Sequence, residues 1–130
     1  MIQILLVDDN KLVRDGMKLL LEINPELKVV GECTDGNQVE DHIEENGLPD
    51  IILMDISMPG KDGITTTVDL IRKYPELKIV ILTMHDQELY LSSVKRSGAM
   101  GYILKNSDIN ELHDVVFKVV SGIKSFPTDI

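Results

Sequence analysis

Residues that can do acid, metal and phosphoryl chemistry stand at the ends of short apolar runs. Asp8 and Asp9 follow the first run, Asp55 ends the third, Thr83 ends the fourth, and Lys105 follows the fifth. Carboxylates held close together repel one another unless positive charge lies among them. An all-oxygen ligand set suits a hard cation such as Mg²⁺, and a carboxylate beside Mg²⁺ and a lysine can attack a phosphoryl group. The pattern therefore predicts Mg²⁺-assisted phosphoryl transfer to an aspartate.

Each of these residues is weak evidence by itself. An Asp-Asp pair is commonly a solvated turn or a helix cap, a lysine after a strand is commonly surface charge, and a threonine at a strand end is unremarkable. The combination is much more specific, because every member falls at the same end of a separate predicted strand.

The elements that must position these residues alternate along the chain. Five apolar runs, most of them continuous, are typical of strands buried on both faces of a parallel sheet. The runs are Ile2 to Val7, Lys28 to Cys33, Ile51 to Met54, Ile79 to Thr83, and Gly101 to Leu104. The stretches between them have helical spacing, and their predicted N-terminal caps are Asn10, Asp35, Asp62, and Ser107 or Asp108.

This alternation predicts an α/β domain, a flavodoxin-like, doubly wound, five-stranded parallel sheet of order 2-1-3-4-5 with helices on both faces. Such a sheet has a topological switch point between its first and third strands, and ligands bind there at the carboxyl ends of the strands. The predicted topology thus brings the three acids, the hydroxyl and the ammonium group into one concavity.

Composition excludes several classes of function. The chain has 130 residues, enough for one domain, and its formal net charge of -9 disfavours direct contact with nucleic acid or anionic lipid. The single cysteine, Cys33, cannot form an intramolecular disulfide, and there is neither a signal-peptide pattern nor an apolar run long enough to span a membrane. We therefore expect a cytoplasmic protein with no membrane contact.

Four sequence segments together resemble the receiver domain of bacterial response regulators. They are Ile4 to Asn10 (ILLVDDN), Asp50 to Gly60 (DIILMDISMPG), Ile81 to Thr83 (ILT), and Gly98 to Lys105 (GAMGYILK). The resemblance covers nearly the whole chain, in order and with fitting spacing, and the set of motifs is highly specific.

The resemblance implies a role for each matching residue of the acid cluster. Asp55 matches the phosphoryl acceptor, and Asp8 and Asp9 match the acidic pair that binds Mg²⁺, with Asp9 the more direct ligand. The backbone carbonyl of Ser57, two residues after the acceptor, completes the family's metal site.

The resemblance also implies a conformational switch. Lys105 matches the lysine that pairs with the phosphoryl group, and Thr83 matches the hydroxyl that moves toward it. Tyr102 matches the aromatic residue that then turns inward, which changes the surface of the fourth helix, fifth strand and fifth helix. That surface, or the first and fifth helices, is expected to form a homodimer on phosphorylation. Leu89, Tyr90, Leu91 and Val94 are candidates for a partly exposed patch on the fourth helix, although core packing against the sheet is favoured for at least half of them.

Two positions depart from the commonest family pattern. Asn106 follows Lys105 where many receivers have proline, and position 57 is Ser where larger polar residues are frequent. Ser57 and His85 match variable positions that tune the lifetime of the phosphoryl group, although for His85 an exposed loop position without a chemical role is favoured.

The segments around Thr83 and Tyr102 most resemble the NarL/FixJ subgroup, in which a LuxR-type helix-turn-helix domain follows the receiver. We expect residues 1–121 to form the receiver and residues 122–130 to begin a linker to such a DNA-binding domain. The resemblance implies a phosphohistidine of a sensor kinase as donor and transcription regulation as output; a stand-alone receiver acting through protein contacts is the alternative.

Three other functions on this fold are disfavoured. A flavin-binding module is opposed by the acidic first loop, which would repel a flavin phosphate. An aspartyl phosphatase would need a second acid where Ser57 stands. A pseudo-receiver usually lacks one of the acids, the threonine or the lysine. We accordingly expect a signalling switch that catalyses only its own phosphoryl transfer and hydrolysis, and not an enzyme.

Overall fold

A computed structural model describes residues 1–84 and 88–126, with the side chains of residues 88 and 89 left out. The strands are β1 Ile2–Val7, β2 Leu27–Cys33, β3 Ile51–Asp55, β4 Ile79–Thr83 and β5 Gly101–Leu104. The helices are α1 Lys11–Glu22, α2 Gly36–Asn46, α3 Gly63–Lys73, α4 Glu88–Arg96 and α5 Ile109–Val120. The five predicted strands are all present; β2 starts one residue earlier than the predicted run, and β3 ends one residue later, at Asp55.

The strands form one parallel sheet of order β2-β1-β3-β4-β5, as the sequence predicts. The register aligns the carboxyl ends of the central strands, since Val7 pairs with Met54, Asp55 with Leu82, and Thr83 with Leu104. The point where the strand order reverses lies between β1 and β3, so the chain leaves these two strands toward opposite faces of the sheet.

Helix starts are set by local side-chain chemistry. The cap side chains of Asn10, Asp35, Asp62 and Asp108 each accept a hydrogen bond from a backbone N–H three residues further along. These bonds satisfy amide groups that have no partner within the helix. The predicted caps are confirmed, and Asp108 is the cap of α5.

Two aliphatic clusters, one on each face, hold the helices to the sheet. Alternate residues of a strand face opposite sides, so Ile52 and Met54 pack toward α2, α3 and α4, whereas Ile51 and Leu53 pack toward α1 and α5. Burial of each large aliphatic side chain in these clusters contributes on the order of 1.5–3 kcal/mol to the free energy of unfolding.

The candidate patch residues on α4 divide between the core and the surface. Val94 is fully buried, and Leu91 packs against the core cluster on its face of the sheet, so both belong mainly to the interior. Tyr90 is the member that remains exposed, at 38%. Val94 thus follows the favoured alternative of core packing, because the stripe of α4 that faces the sheet passes through it. The side chain of Leu89 lies outside the described residues.

Within the described part of the chain, no helix has the length and apolar content that crossing a membrane requires.

Candidate functional site

The sheet brings the predicted residues together at the carboxyl ends of its strands. The N–H of Lys105 donates to the carbonyl of Thr83 at 2.7 Å, and the N–H of Ile56 donates to the carbonyl of Leu82 at 3.0 Å. These bonds extend the β3–β4–β5 ladder by one residue past the strands. The backbone around Asp55 and Lys105 is therefore fixed by the sheet, although both side chains face the loop region.

Lys105 is paired with two carboxylates at once. Its Nζ lies 2.7 Å from Oδ2 of Asp8 and 3.0 Å from Oδ1 of Asp55, and its side chain is only 7% exposed. Such a buried lysine is tolerated because the two acids meet its charge. The ammonium group thus joins the ends of β1, β3 and β5 into one ionic cluster.

Asp8 is held by its neighbours as well as by Lys105. Its Oδ1 accepts the N–H of Asn10 at 2.9 Å, and its backbone carbonyl accepts a hydrogen bond of 2.6 Å from Arg14 on α1. Arg14 also pairs with Glu32 of β2 at 3.1 Å. Sequence reasoning missed this contact, because nothing in the helical spacing shows which distant carbonyl a guanidinium will reach.

Asp55 is buried, with 3% of its surface exposed. Its Oδ1 accepts the N–H of Ser57 at 3.3 Å in addition to the contact with Lys105. Burial raises the pKa of Asp55 above its usual range, with Lys105 opposing the rise and Asp8 adding to it. For Lys105, burial by itself would lower the pKa, but the bonds with Asp8 and Asp55 outweigh it and the pKa is raised.

The raised pKa of Asp55 predicts that Asp55→Asn stabilises the metal-free protein. A carboxyl whose pKa is higher folded than unfolded binds protons more tightly in the folded state, so its ionised form costs stability at neutral pH. We expect Asp55→Asn to raise the urea midpoint at pH 7 in the presence of chelator. The gain should shrink as the pH falls and Asp55 becomes protonated. An equal or lower midpoint at pH 7 would contradict this.

The same acids could hold a metal ion. Asp8, Asp9 and Asp55 each offer an oxygen, and these oxygens lie within 4.8 Å of one another. Oδ2 of Asp8 is buried and, despite the nearby Lys105, accepts no hydrogen bond of good geometry from the described residues. Asp9 is exposed and lines the same cavity as Asp55. An all-carboxylate set open to solvent fits a hard divalent cation that keeps several waters.

A cavity of about 400 Å³ opens above the cluster. Its lining includes Asp9, Asp55, Ser57, Thr83 and Lys105, together with Asn10, Val13, Ile56, Met84 and Tyr90. Thr83 is 3% exposed and so sits at the cavity floor, while Ser57 is exposed at its rim. The role of the Ser57 carbonyl in binding metal stays a prediction, and His85 lies outside the described residues.

Tyr102 is not part of this cavity. It lies three residues before Lys105 on β5, is 5% exposed, and belongs to the core cluster beneath α4 together with Val94 and Ala99. Tyr102 is therefore turned into the core in this structure.

Gly63 is a site residue that sequence reasoning missed. It starts α3, and its N–H donates to the carbonyl of Ile56 at 2.9 Å, which closes the loop that follows Asp55. A methyl group at Gly63 would lie 2.1 Å from the backbone carbonyl oxygen of Asp55, far inside contact distance. The backbone of Asp55 and the start of α3 can therefore approach this closely only at a glycine.

Gly63→Ala is expected to destabilise the protein by about 2–3 kcal/mol and to slow phosphorylation of Asp55, because the backbone of the site must shift. Gly16→Ala is the matched control. Gly16 lies in α1 with no atom within 4 Å of an added methyl group, so alanine should raise stability by about 0.5–1 kcal/mol. Urea unfolding of both variants tests the pair; equal effects would show that Gly63 tolerates a side chain.

A parallel sheet of order 2-1-3-4-5, with an acid cluster and a paired lysine at its switch point, defines the receiver class of α/β proteins. Residues 4–117 match the response regulator receiver domain, and the chain belongs to this family.

Relatives and solved structures agree with the predicted likeness to NarL and LuxR-type regulators. The transcriptional regulatory protein DegU of Brevibacillus brevis is 42% identical over 121 residues, which are 93% of this chain and 51% of that protein. A LuxR-family response regulator from Aurantimonas sp. SI85-9A1 superposes with a TM-score of 0.90 and 34% identity, covering 98% of this chain and 91% of that one. The receiver domain of NarL from Mycobacterium tuberculosis superposes with a TM-score of 0.85 and 30% identity, covering 93% of this chain and 97% of that one. The chain spans about half the length of the curated relatives it matches.

Proposed function

We propose that this chain is a phosphorylation-dependent signalling switch in which Asp55 accepts a phosphoryl group from a sensor histidine kinase. The simultaneous pairing of Lys105 with Asp8 and Asp55, at the floor of an open cavity, is the observation that carries the proposal. A lysine placed there meets negative charge on the acceptor before transfer and on the phosphoryl group after it.

The transfer needs one nucleophilic oxygen and several positive groups. Both described contacts of the Asp55 carboxylate fall on Oδ1, so we assign Oδ2 as the attacking oxygen. A new O–P bond forms at Asp55 as the P–N bond of the donor phosphohistidine breaks, and the freed imidazole takes up a proton. Mg²⁺ held by Asp8, Asp9 and Asp55 would neutralise phosphoryl oxygens, and Lys105 meets the remaining charge.

The switch follows from the added charge. A phosphoryl group brings about -1.5 to -2 charge in place of a single carboxylate charge. Thr83 lines the same cavity, and we assign its hydroxyl to donate a hydrogen bond to a phosphoryl oxygen. Movement of Thr83 would shift α4, which shares a core cluster with Tyr102 through Val94. We assign the output to this population shift between two packings of α4 and β5.

The most direct test is incubation of the purified chain with acetyl phosphate and Mg²⁺, followed by intact mass measurement. We expect the chain to gain the mass of one phosphoryl group. No such gain is expected when chelator is added before the acetyl phosphate. Steady release of phosphate from an unrelated phosphate ester would instead support a hydrolase. The proposal assigns turnover only of the chain's own phosphoryl group.

A donor protein must cover the mouth of the cavity, and α1 offers an apolar surface beside it. Leu12 and Leu19 are 82% and 72% exposed, and they line a second cavity of about 540 Å³ together with Met84 and Lys105. Because Met84 and Lys105 line both cavities, this surface is continuous with the site. Solvent-exposed leucines beside a reactive group fit a helical donor protein.

Leu12→Ser is expected to slow phosphoryl transfer from a phosphorylated histidine kinase about tenfold, as loss of a central apolar contact does. Its rate with acetyl phosphate should not change, because a small donor needs no docking surface. Leu48→Ser is the control, since Leu48 is 38% exposed and precedes β3 at the opposite end of the sheet. An equal loss of transfer rate with both donors would instead mean that Leu12 contributes to the phosphoryl transfer step.

The output that we propose is transcription regulation through a DNA-binding domain outside this chain. DegU is a transcriptional regulatory protein, and the Aurantimonas neighbour is a LuxR-family regulator. The net charge of -9 makes DNA contact by the receiver itself unfavourable. Homodimerisation on phosphorylation would couple the switch to such a domain.

A further inference from the structure

Residues 123–126 form a strap along the outer edge of β5. After α5 ends at Val120, the chain turns at Gly122 and returns so that Ser125 pairs in parallel with Gly101. The N–H of Ser125 donates to the carbonyl of Met100 at 2.8 Å, and the N–H of Tyr102 donates to the carbonyl of Ser125 at 3.2 Å. Since β5 is the last strand of the sheet, the strap covers an edge that would otherwise be open.

The start of β5 is shaped for this contact. A methyl group at Gly101 would lie 3.1 Å from the carbonyl oxygen of Ser125 and 3.2 Å from a methyl of Val80. Any side chain there would press on the strap from one side and on the core from the other. A glycine at this position therefore permits the strap to lie close to the strand.

Phe126 anchors the strap to the elements that the switch would move. Its ring is half-buried against the core cluster that contains Tyr102, and the two residues line one cavity of about 360 Å³. Lys95 of α4 places its ammonium group 5.5 Å from the ring centre. Phe126 thus touches α4 and the Tyr102 cluster at the same time, while Ser125 bonds the backbone of Tyr102.

We propose that the strap is seated in the unphosphorylated protein and that phosphorylation of Asp55 unseats it. The inference rests on the proposed function and adds the route by which a change at the phosphorylation site alters the contacts of the residues after α5. A ring held between two elements loses contact steeply when those elements move apart, because dispersion contacts fall off within an ångström. Displacement of α4 therefore weakens the contacts that hold Phe126.

Amide hydrogen exchange tests the strap directly, with beryllofluoride and Mg²⁺ as a stable mimic of the phosphoryl group. The amides of Ser125 and Tyr102 should exchange at least about tenfold faster in the beryllofluoride-bound protein. The amide of Met100 is the internal control, since it donates to Ile79 across the β4–β5 ladder and should keep its protection. Unchanged exchange at Ser125 and Tyr102 would overturn the proposal.

Reciprocity supplies a second test. If phosphorylation weakens the contacts of the strap, a mutation that weakens those contacts must favour the activated conformation by the same factor. Phe126→Ala should bind beryllofluoride about fivefold more tightly than the wild type. Ile123→Ala is the matched control, because Ile123 belongs to the same segment but is 56% exposed, and its affinity should stay at the wild-type value. An unchanged or weaker affinity in Phe126→Ala would overturn the proposal.

Beryllofluoride binding distinguishes a failure of the proposed function from a failure of the strap proposal. A wild-type chain that binds no beryllofluoride would overturn the proposed function and the strap with it. A wild-type chain that binds beryllofluoride at Asp55 but shows no change at Ser125 and Phe126 would overturn the strap alone.

Discussion

Asp55→Asn will take up no phosphoryl group from acetyl phosphate and Mg²⁺, whereas Asp50→Asn will take up one group per chain. An amide in place of the carboxylate removes the nucleophile, which is expected to slow transfer on the order of 10³-fold or more. Burial raises the pKa of Asp55, and Lys105, 3.0 Å away, limits the rise by favouring the ionised, nucleophilic form. Intact mass after a timed incubation provides the measurement.

Asp50→Asn is a sharp control because Asp50 stands just before the other end of β3. Its Oδ2 accepts the N–H of Gln3 at 2.7 Å, and asparagine keeps an oxygen that can accept this bond. A variant at this position therefore changes one charge near the same strand without touching the cavity. Labelling of Asp55→Asn at the wild-type rate would refute the assignment, and mapping of the labelled peptide would then identify the acceptor.

Asp9→Asn will abolish most of the response to Mg²⁺ while leaving the metal-free protein as stable as the wild type. Asp9 is exposed, and the described structure gives its side chain no hydrogen bond or ion pair, so its removal should change the free energy of unfolding by no more than about 0.5 kcal/mol in chelator. Mg²⁺ at ten times its dissociation constant should stabilise the wild type by about 1.4 kcal/mol, and Asp9→Asn should lose most of this gain. Transfer from acetyl phosphate should slow about 10²-fold.

The contrast with Asp8 explains why Asp9 is the better test of the metal site. Asp8 is buried and pairs with Lys105, so its replacement would disturb the ionic cluster as well as any metal. Asp41→Asn, on the exposed side of α2, is the control for the loss of one negative charge. Urea unfolding with and without Mg²⁺ decides the matter: a full Mg²⁺ response in Asp9→Asn would mean that other groups hold the ion.

The order of the strands and the end of the sheet at which the site lies were predictable from local patterns. Continuous apolar runs give buried parallel strands, and alternation with amphipathic stretches gives crossovers of one hand, which leaves few topologies. The caps were predictable for a similar reason, since an asparagine or aspartate bonds an amide three residues away and needs no distant partner. The family match of residues 4–117 confirms the resemblance drawn from the motifs.

Only the tertiary structure decided the contacts between segments that no local pattern connects. Asp8 and Asp9 are adjacent and chemically alike, yet the first is buried beside Lys105 and the second is exposed in the bend that follows β1. The contact of Gly63 with the Asp55 backbone joins positions eight residues apart, through a loop whose path no periodicity specifies.

The sequence by itself thus determined which elements form, in which order they pair, and which residues meet at the carboxyl ends of the strands. Those properties follow from local periodicity and from the handedness of crossovers. The tertiary structure decided which acid shares the lysine, how Arg14 holds the Asp8 carbonyl, that Val94 is buried, and that residues 123–126 cover β5. These depend on packing between segments far apart in the chain, where small shifts of helix position change which groups touch.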